Sequence, residues 1–178
     1  LSGNQVVVGM PAGGGPETID CKVDECLTYT IQDGQLRIDG AEPLAIGQTE
    51  QGTIVINDAY MNKVESVTEG HKLDGVYVTR GYYGLVGITP FSSSWSKYLT
   101  FYADGTFESD STSIGSLDTG SSRTDSSSIP GTVKGTYVIS GNTITLNYAD
   151  GTTAKHVFVR DEEGDLQIGE HNYSPDHG

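Results

Sequence analysis

A chain of 178 residues and 18.9 kDa can enclose a core of its own, and one domain, or at most one and a half, is the expectation. Its 24 acids against 10 bases give a net charge of −14 and a pI near 4.4, which repels phosphate backbones and anionic headgroups and argues against nucleic acid or a membrane surface as partner. No apolar run reaches the length of a membrane span and no signal peptide is read at the N-terminus, so membrane insertion is not expected.

Helical periodicity is nearly absent, and short alternating runs rich in Val, Ile, Thr and Tyr recur between Gly and Asp signals. In chain order the predicted strands begin with Gln5 to Gly9. The stretch Cys21-Lys22-Val23-Asp24-Glu25-Cys26 follows. Two cysteines do not close a tetrahedral metal site, and their spacing is not that of a Cys-x-x-Cys redox motif. A local disulfide across a turn is the simpler reading, and it requires an oxidising compartment. With the abundance of Ser, Thr and Gly, it points to a secreted, periplasmic or cell-surface location.

The next predicted strands are Leu27 to Ile31, Gln35 to Asp39, Thr53 to Asn57 and Tyr60 to Val67. After them come Gly75 to Arg80, Lys97 to Tyr102, Thr106 to Ser109, Gly135 to Ile139, Thr143 to Tyr148, Lys155 to Arg160 and Asp165 to Ile168. The pentapeptide Tyr102-Ala103-Asp104-Gly105-Thr106 recurs as Tyr148-Ala149-Asp150-Gly151-Thr152. Asp-Gly is a strong hairpin signal because a type I′ turn needs positive φ at both central residues. Gln32-Asp33-Gly34, Ser140-Gly141-Asn142 and Glu162-Glu163-Gly164 supply the other corners. An antiparallel meander of this length leaves edges, and closure into a barrel removes them. Ser109 to Pro130 is dominated by Ser, Thr, Asp and Gly, and is read as a mobile flap at one end of that barrel.

The N-terminal segment, 1–70, echoes the C-terminal one. Leu1 to Val8 aligns with Ile139 to Leu146, Gly13 falls opposite Gly151, and Asp33 to Ile38 aligns with Glu163 to Ile168. Two readings stand: the alternation common to any pair of hairpins, or a duplication in which the N-terminal segment trails a preceding copy. A half copy would have to pack on the second unit, pair with another chain as a homo-oligomer, or exchange strands.

Motifs with catalytic associations have bland explanations. Asp118-Thr119-Gly120-Ser121-Ser122 has the aspartic-protease lettering, but that chemistry needs two carboxylates sharing a proton and the chain holds no second copy. His156 and His171 become diagonal neighbours if Asp161 to Gly164 turns tightly, yet ordinary surface histidines explain them equally. Asp161-Glu162-Glu163-Gly164-Asp165 lacks the ligand spacing of a calcium loop. No catalytic residue, metal ligand or cofactor is assigned. Tyr82, Tyr83, Phe91 and Trp95 stand in a Gly/Ser-rich connection where core packing does not demand aromatics; they suit a barrel mouth or its lid.

From Leu73 to Tyr173 the pattern resembles small bacterial lipocalin-like (calycin-type) barrels. The resemblance rests on Leu73-Asp74-Gly75-Val76-Tyr77, Leu99-Thr100-Phe101-Tyr102-Ala103-Asp104-Gly105-Thr106-Phe107, Gly135 to Leu146, and Leu166-Gln167-Ile168-Gly169 with Tyr173. It implies an eight-stranded antiparallel barrel over 73–175 that is filled or holds one small ligand. Lipocalins carry a tryptophan where this chain has Tyr77, and Arg160 is the nearest counterpart of the arginine that covers it. The expected function is a binding module for a small hydrophobic or aromatic ligand, with Tyr77, Tyr82, Tyr83, Trp95, Phe101 and Tyr137 at its mouth or interior. The alternative is a non-catalytic structural or adhesive repeat with a filled barrel.

Overall fold

The computed structural model describes residues 4–61, 64–83, 91–118, 123–128 and 131–177. Apart from one 3-10 turn, Pro16–Thr18, its regular structure is β. Strands β1 (Gln5–Val7), β2 (Cys26–Gln32), β3 (Gln35–Ile38), β4 (Leu44–Gln48), β5 (Ile54–Ile56) and β6 (Ala59–Met61) form a six-stranded antiparallel meander in chain order. The second sheet contains β7 (Gly75–Tyr83), β8 (Phe91–Phe101), β9 (Thr106–Asp118), β10 (Arg123–Ser128), β11 (Val133–Ser140), β12 (Thr143–Tyr148), β13 (Thr153–Arg160), β14 (Leu166–Ile168) and β15 (His171–Pro175).

Eight of these close on themselves in the order β7-β8-β9-β11-β12-β13-β14-β15, and the seam back to β7 runs through Ser174 opposite Val78 and Pro175 opposite Tyr77. Strand alternation sends every second side chain inward. Phe101, Phe107, Tyr137, Ile139, Ile144, Phe158, Leu166 and Tyr173 are thereby taken almost wholly out of water. The closed, antiparallel, helix-poor barrel expected from the alternation is present and is consistent with a calycin-type fold.

Tyr137 shuts one end of the barrel. Its hydroxyl donates to the carbonyl of Leu73 (3.0 Å) and accepts from the Leu73 amide (2.7 Å), with the Tyr102 carbonyl 3.2 Å away. The Lys72 ammonium lies 5.2 Å from the Tyr137 ring centroid. A cation does cover an aromatic at the barrel floor, but the pair is Lys72 and Tyr137; Arg160 is exposed on β13.

The polar stretch read as a mobile flap is largely strand. β9 continues to Asp118 and β10 pairs back on it, so that β7, β8, β9 and β10 rise together past the barrel as a four-stranded tongue. β8 and β9 stay in register from Phe101 opposite Phe107 to Phe91 opposite Leu117. That ladder pairs the backbone N–H and C=O groups of a Ser/Thr-rich strand. Residues 119–122 of the protease-like lettering lie outside the described residues.

The corners also differ from the single turn type anticipated. Asp33-Gly34 (φ 52° and 71°) and Asn57-Asp58 (φ 46° and 65°) have the paired positive φ of a type I′ hairpin. At Asp104-Gly105 and Asp150-Gly151 only the glycine is left-handed (φ 91° and 87°), and the aspartate carboxylate caps the turn by accepting from the Thr106 or Thr152 amide at 2.8 and 2.9 Å.

The two sheets join at the β11–β12 corner. Glu17 Oε1 accepts from the Thr143 hydroxyl (2.7 Å) and the Asn142 amide (3.1 Å), while the Gly15 amide donates to Thr143 Oγ1 (2.8 Å). The buried Asn142 amide group donates to the carbonyls of Glu65 and Phe158, both at 3.2 Å, and its Oδ1 accepts from Ser66 Oγ (2.9 Å). Gly15 must be glycine, because a Cβ there would collide with the Asn142 carbonyl.

The internal echo is structural, but its register is not the one read from the sequence. Tyr29 opposite Ile38 and Ile31 opposite Leu36 reproduce Tyr137 opposite Leu146 and Ile139 opposite Ile144. The β4–β5–β6 pairings, Ile46 with Ile56 and Ile54 with Met61, reproduce Phe158 with Ile168 and Leu166 with Tyr173. Single hydrogen bonds between strands repeat as well. Tyr29 N to Asn4 O matches Tyr137 N to Gly105 O, both 2.8 Å. Ile46 N to Gly34 O matches Phe158 N to Asn142 O, and Asn57 N to Ala45 O matches Gly169 N to Val157 O. The six strands β1 to β6 thus repeat β9 and β11 to β15 in order. Asn4 to Val8 takes the place of Gly105 to Ser109, and not that of Asn142 to Leu146.

Candidate functional site

The barrel is filled at the Tyr137 end and hollow at the other. There a cavity of about 350 Å³ opens between β8, β9, β12, β13 and the β14–β15 corner. Its floor is apolar, made of Leu99, Phe107, Leu146, Ile168 and Tyr173, all buried. Its wall is polar: Lys97, Ser109, Tyr148, His156, Glu170 and His171. Met10, from the loop ahead of the 3-10 turn, reaches the lining from the N-terminal unit.

Strand parity places these groups. Lys97 is two residues from Leu99 and four from Phe101, so it shares their inward face. His156 stands opposite Ile144 and two residues before Phe158, and His171 stands opposite Ile168 and two before Tyr173. All three polar side chains therefore emerge just above the last apolar layer. Burial, reinforced by the nearby charges of Lys97 and His171, holds His156 below the usual histidine range and favours its neutral form. Burial pushes the Tyr173 hydroxyl up to about 12, so it stays protonated.

His171 connects the cup to the tongue. Its ring meets Trp95 edge-on at 6.1 Å between centroids, and meets Tyr173 at 6.4 Å and 88°. Trp95 lies across Gly81 of the neighbouring strand, where a Cβ would overlap the indole. The aromatic and the glycine that makes room for it therefore belong together.

The six residues singled out from the sequence divide into two groups. Tyr77, Phe101 and Tyr137 lie in the closed part of the core, with Tyr77 and Tyr137 edge-on to Phe101 at 6.0 and 4.9 Å. Trp95, Tyr82 and Tyr83 stand on the tongue with 38%, 54% and 70% of their surface exposed. Trp95 and Tyr83 share one face, and Tyr82 is on the other. None of the six lines the cavity. The cup residues Lys97, Tyr148 and Glu170 were missed, although a lysine in phase with Leu99 and Phe101 is a readable signal of an inward charge.

Cys21 and Cys26 are joined by a disulfide, with Cα atoms 5.4 Å apart, at the entry to β2. Its neighbour Asp24 accepts from the Ala12 and Asp20 amides, each at 2.8 Å, and both bonds hold its carboxyl below the ordinary range. His156 and His171 do come together, but among the described residues no group of three or more His, Cys, Asp or Glu could hold a metal ion. Among them, too, no helix is long and apolar enough to cross a membrane. No protein-family model, curated protein or solved structure matches the chain.

Proposed function

We propose that the protein is a non-catalytic binding module of the small bacterial lipocalin-like kind, which holds a small hydrophobic or aromatic ligand in the open end of its barrel. The cup carries this reading: an apolar floor below a polar wall that holds Lys97, His156 and His171 as well as Glu170 suits a ligand with an apolar body and a polar tip. Its volume, about 350 Å³, falls at the small end of ligand pockets. The disulfide supports a location outside the cytoplasm.

The test uses Trp95, the sole tryptophan, as a reporter beside the cup. Titration with a panel of small hydrophobic and aromatic carboxylates should quench its fluorescence saturably. The absence of any response at millimolar ligand overturns the reading. It would favour the second one, a structural or adhesive repeat, which has its own support in the aromatic packing that fills the Tyr137 end.

A further inference from the structure

The first sheet repeats six of the eight barrel strands, and the two without a counterpart are consecutive: β7 and β8, one hairpin. We propose that the β1–β6 sheet is the acceptor for an external two-stranded β-hairpin of the β7–β8 pattern, which completes it to a second closed barrel.

Side-chain chemistry carries the inference furthest. Positions equivalent to the barrel's inward layer are apolar in the first sheet, yet several are only half-buried, as Tyr29, Ile38, Ile46 and Ile56 are, and three stand open to solvent. Ile31 is 57% exposed where Ile139 is 0%, Ile54 is 46% where Leu166 is 1%, and Met61 is 40% where Tyr173 is 1%. Of the first sheet's hydrophobic residues, only Leu36, the counterpart of Ile144, is buried among those described. A face that keeps its core lettering while so much of it stays in contact with water is a face for another element to cover.

The edges agree. In the barrel the outer side of β9 takes β8 through Phe107, Glu108 and Ser109 opposite Phe101, Thr100 and Leu99. Val6, Val7 and Val8 occupy those places in the first sheet, and among the described residues no strand lies along the outer edge of β1 or β6. Charge agrees too. Residues 1–70 hold eleven acids and three bases, whereas 75–101 hold Arg80 and Lys97 and no acid. A hairpin of that composition approaches a sheet of opposite sign.

A second copy of this chain is the poorer occupant, because lending its own β7–β8 would open its own barrel. The experiment fuses an additional copy of residues 73–101 directly ahead of Leu1, which reproduces the spacing from Phe101 to the Asp104-Gly105 corner. Native-state hydrogen exchange is then compared with that of the unfused protein. Slowing of the Tyr29, Ile31, Ile46 and Ile56 amides by about 100-fold or more, in a monomer, is expected. A fusion whose added strand carries serine at the positions copied from Leu99 and Phe101 should lose that protection. A synthetic peptide of residues 73–101, titrated into the unfused protein, should perturb residues 4–61 saturably and leave the barrel amides alone, and it decides the matter if the fusion does not fold. Unchanged exchange in the folded fusion, or no peptide response at millimolar concentration, overturns the proposal. So does a dimer of the unfused protein in which 75–101 leaves its own barrel.

Discussion

Trp95 and His171 meet edge-on at 6.1 Å, and the glycine at position 81 makes that meeting possible. A methyl group added by Gly81→Ala would intrude on the indole ring. The variant should stay folded, because Trp95 is 38% exposed and can swing outward. The cost should fall near the low end of overpacking penalties, ~1 kcal/mol. The visible result is a red-shifted Trp95 emission; an unchanged spectrum would contradict the contact.

Tyr137→Phe removes a hydroxyl bonded to both the amide and the carbonyl of buried Leu73. The ring stays, but two backbone groups lose their partner in a dry site. A loss of about 1–3 kcal/mol is expected from urea denaturation followed by circular dichroism. A loss below ~0.5 kcal/mol would show that water reaches the barrel floor and replaces the hydroxyl.

Acid should weaken the fold through His156. Burial lowers its folded value beneath the ordinary 6.5, so the unfolded chain binds the proton more readily. The stabilisation due to the neutral ring is fully present above the unfolded value and is lost as pH falls from there through the folded value. His156→Gln should flatten the stability profile across that window and leave the plateau above pH 7 nearly unmoved. An NMR titration of the imidazole supplies the folded midpoint, which should lie below that of a histidine in an unstructured peptide.

The Cys21–Cys26 bridge closes a loop with a sequence separation of 5. So small a ring contributes ~2 kcal/mol in the chain-entropy account. Replacing both cysteines with serine should therefore loosen 9–26 and the start of β2, while the barrel, which the bridge does not touch, keeps its melting temperature. Exchange mapping separates the two regions, and a barrel that melts earlier would show the units to be coupled more tightly than their few polar contacts imply.

Glu17→Ala tests that coupling from the other side. Its carboxylate holds both Thr143 and the Asn142 amide. Once it is gone, amides 13–18 should exchange faster while those of Ile144 and Phe158 do not change.

The barrel was legible because its signals are local. Thr136-Tyr137-Val138-Ile139 and Ile144-Thr145-Leu146 alternate with period two, and the intervening Gly141-Asn142 can only be a corner. The tongue was not legible, since Ser109 to Asp118 is held by backbone pairing with β8 and β10, its neighbours along the chain, and such pairing leaves no mark on side-chain pattern. β4 was missed for a similar reason: Leu44 to Gln48 contains a glycine and follows a proline, and its strand state comes from β3 and β5 on either side. Aromatic content pointed to the interior and the tongue and away from the cup. Tyr77, Phe101 and Tyr137 fill the closed end, while the hollow end is marked by polar residues in phase with buried ones. The internal echo was aligned in the wrong register, because the Gly-Asn lettering at 3–4 imitates that at 141–142, although Asn4 stands in the place of Gly105.

The two halves agree in their greasy letters and part company at the histidines. Leu44 stands in the first sheet where His156 stands in the barrel, and Ala59 where His171 stands. The repeated strand pairing does not need imidazole, since the first half is built without it. The two imidazoles thus belong to the barrel's open cup and not to the frame that both halves share.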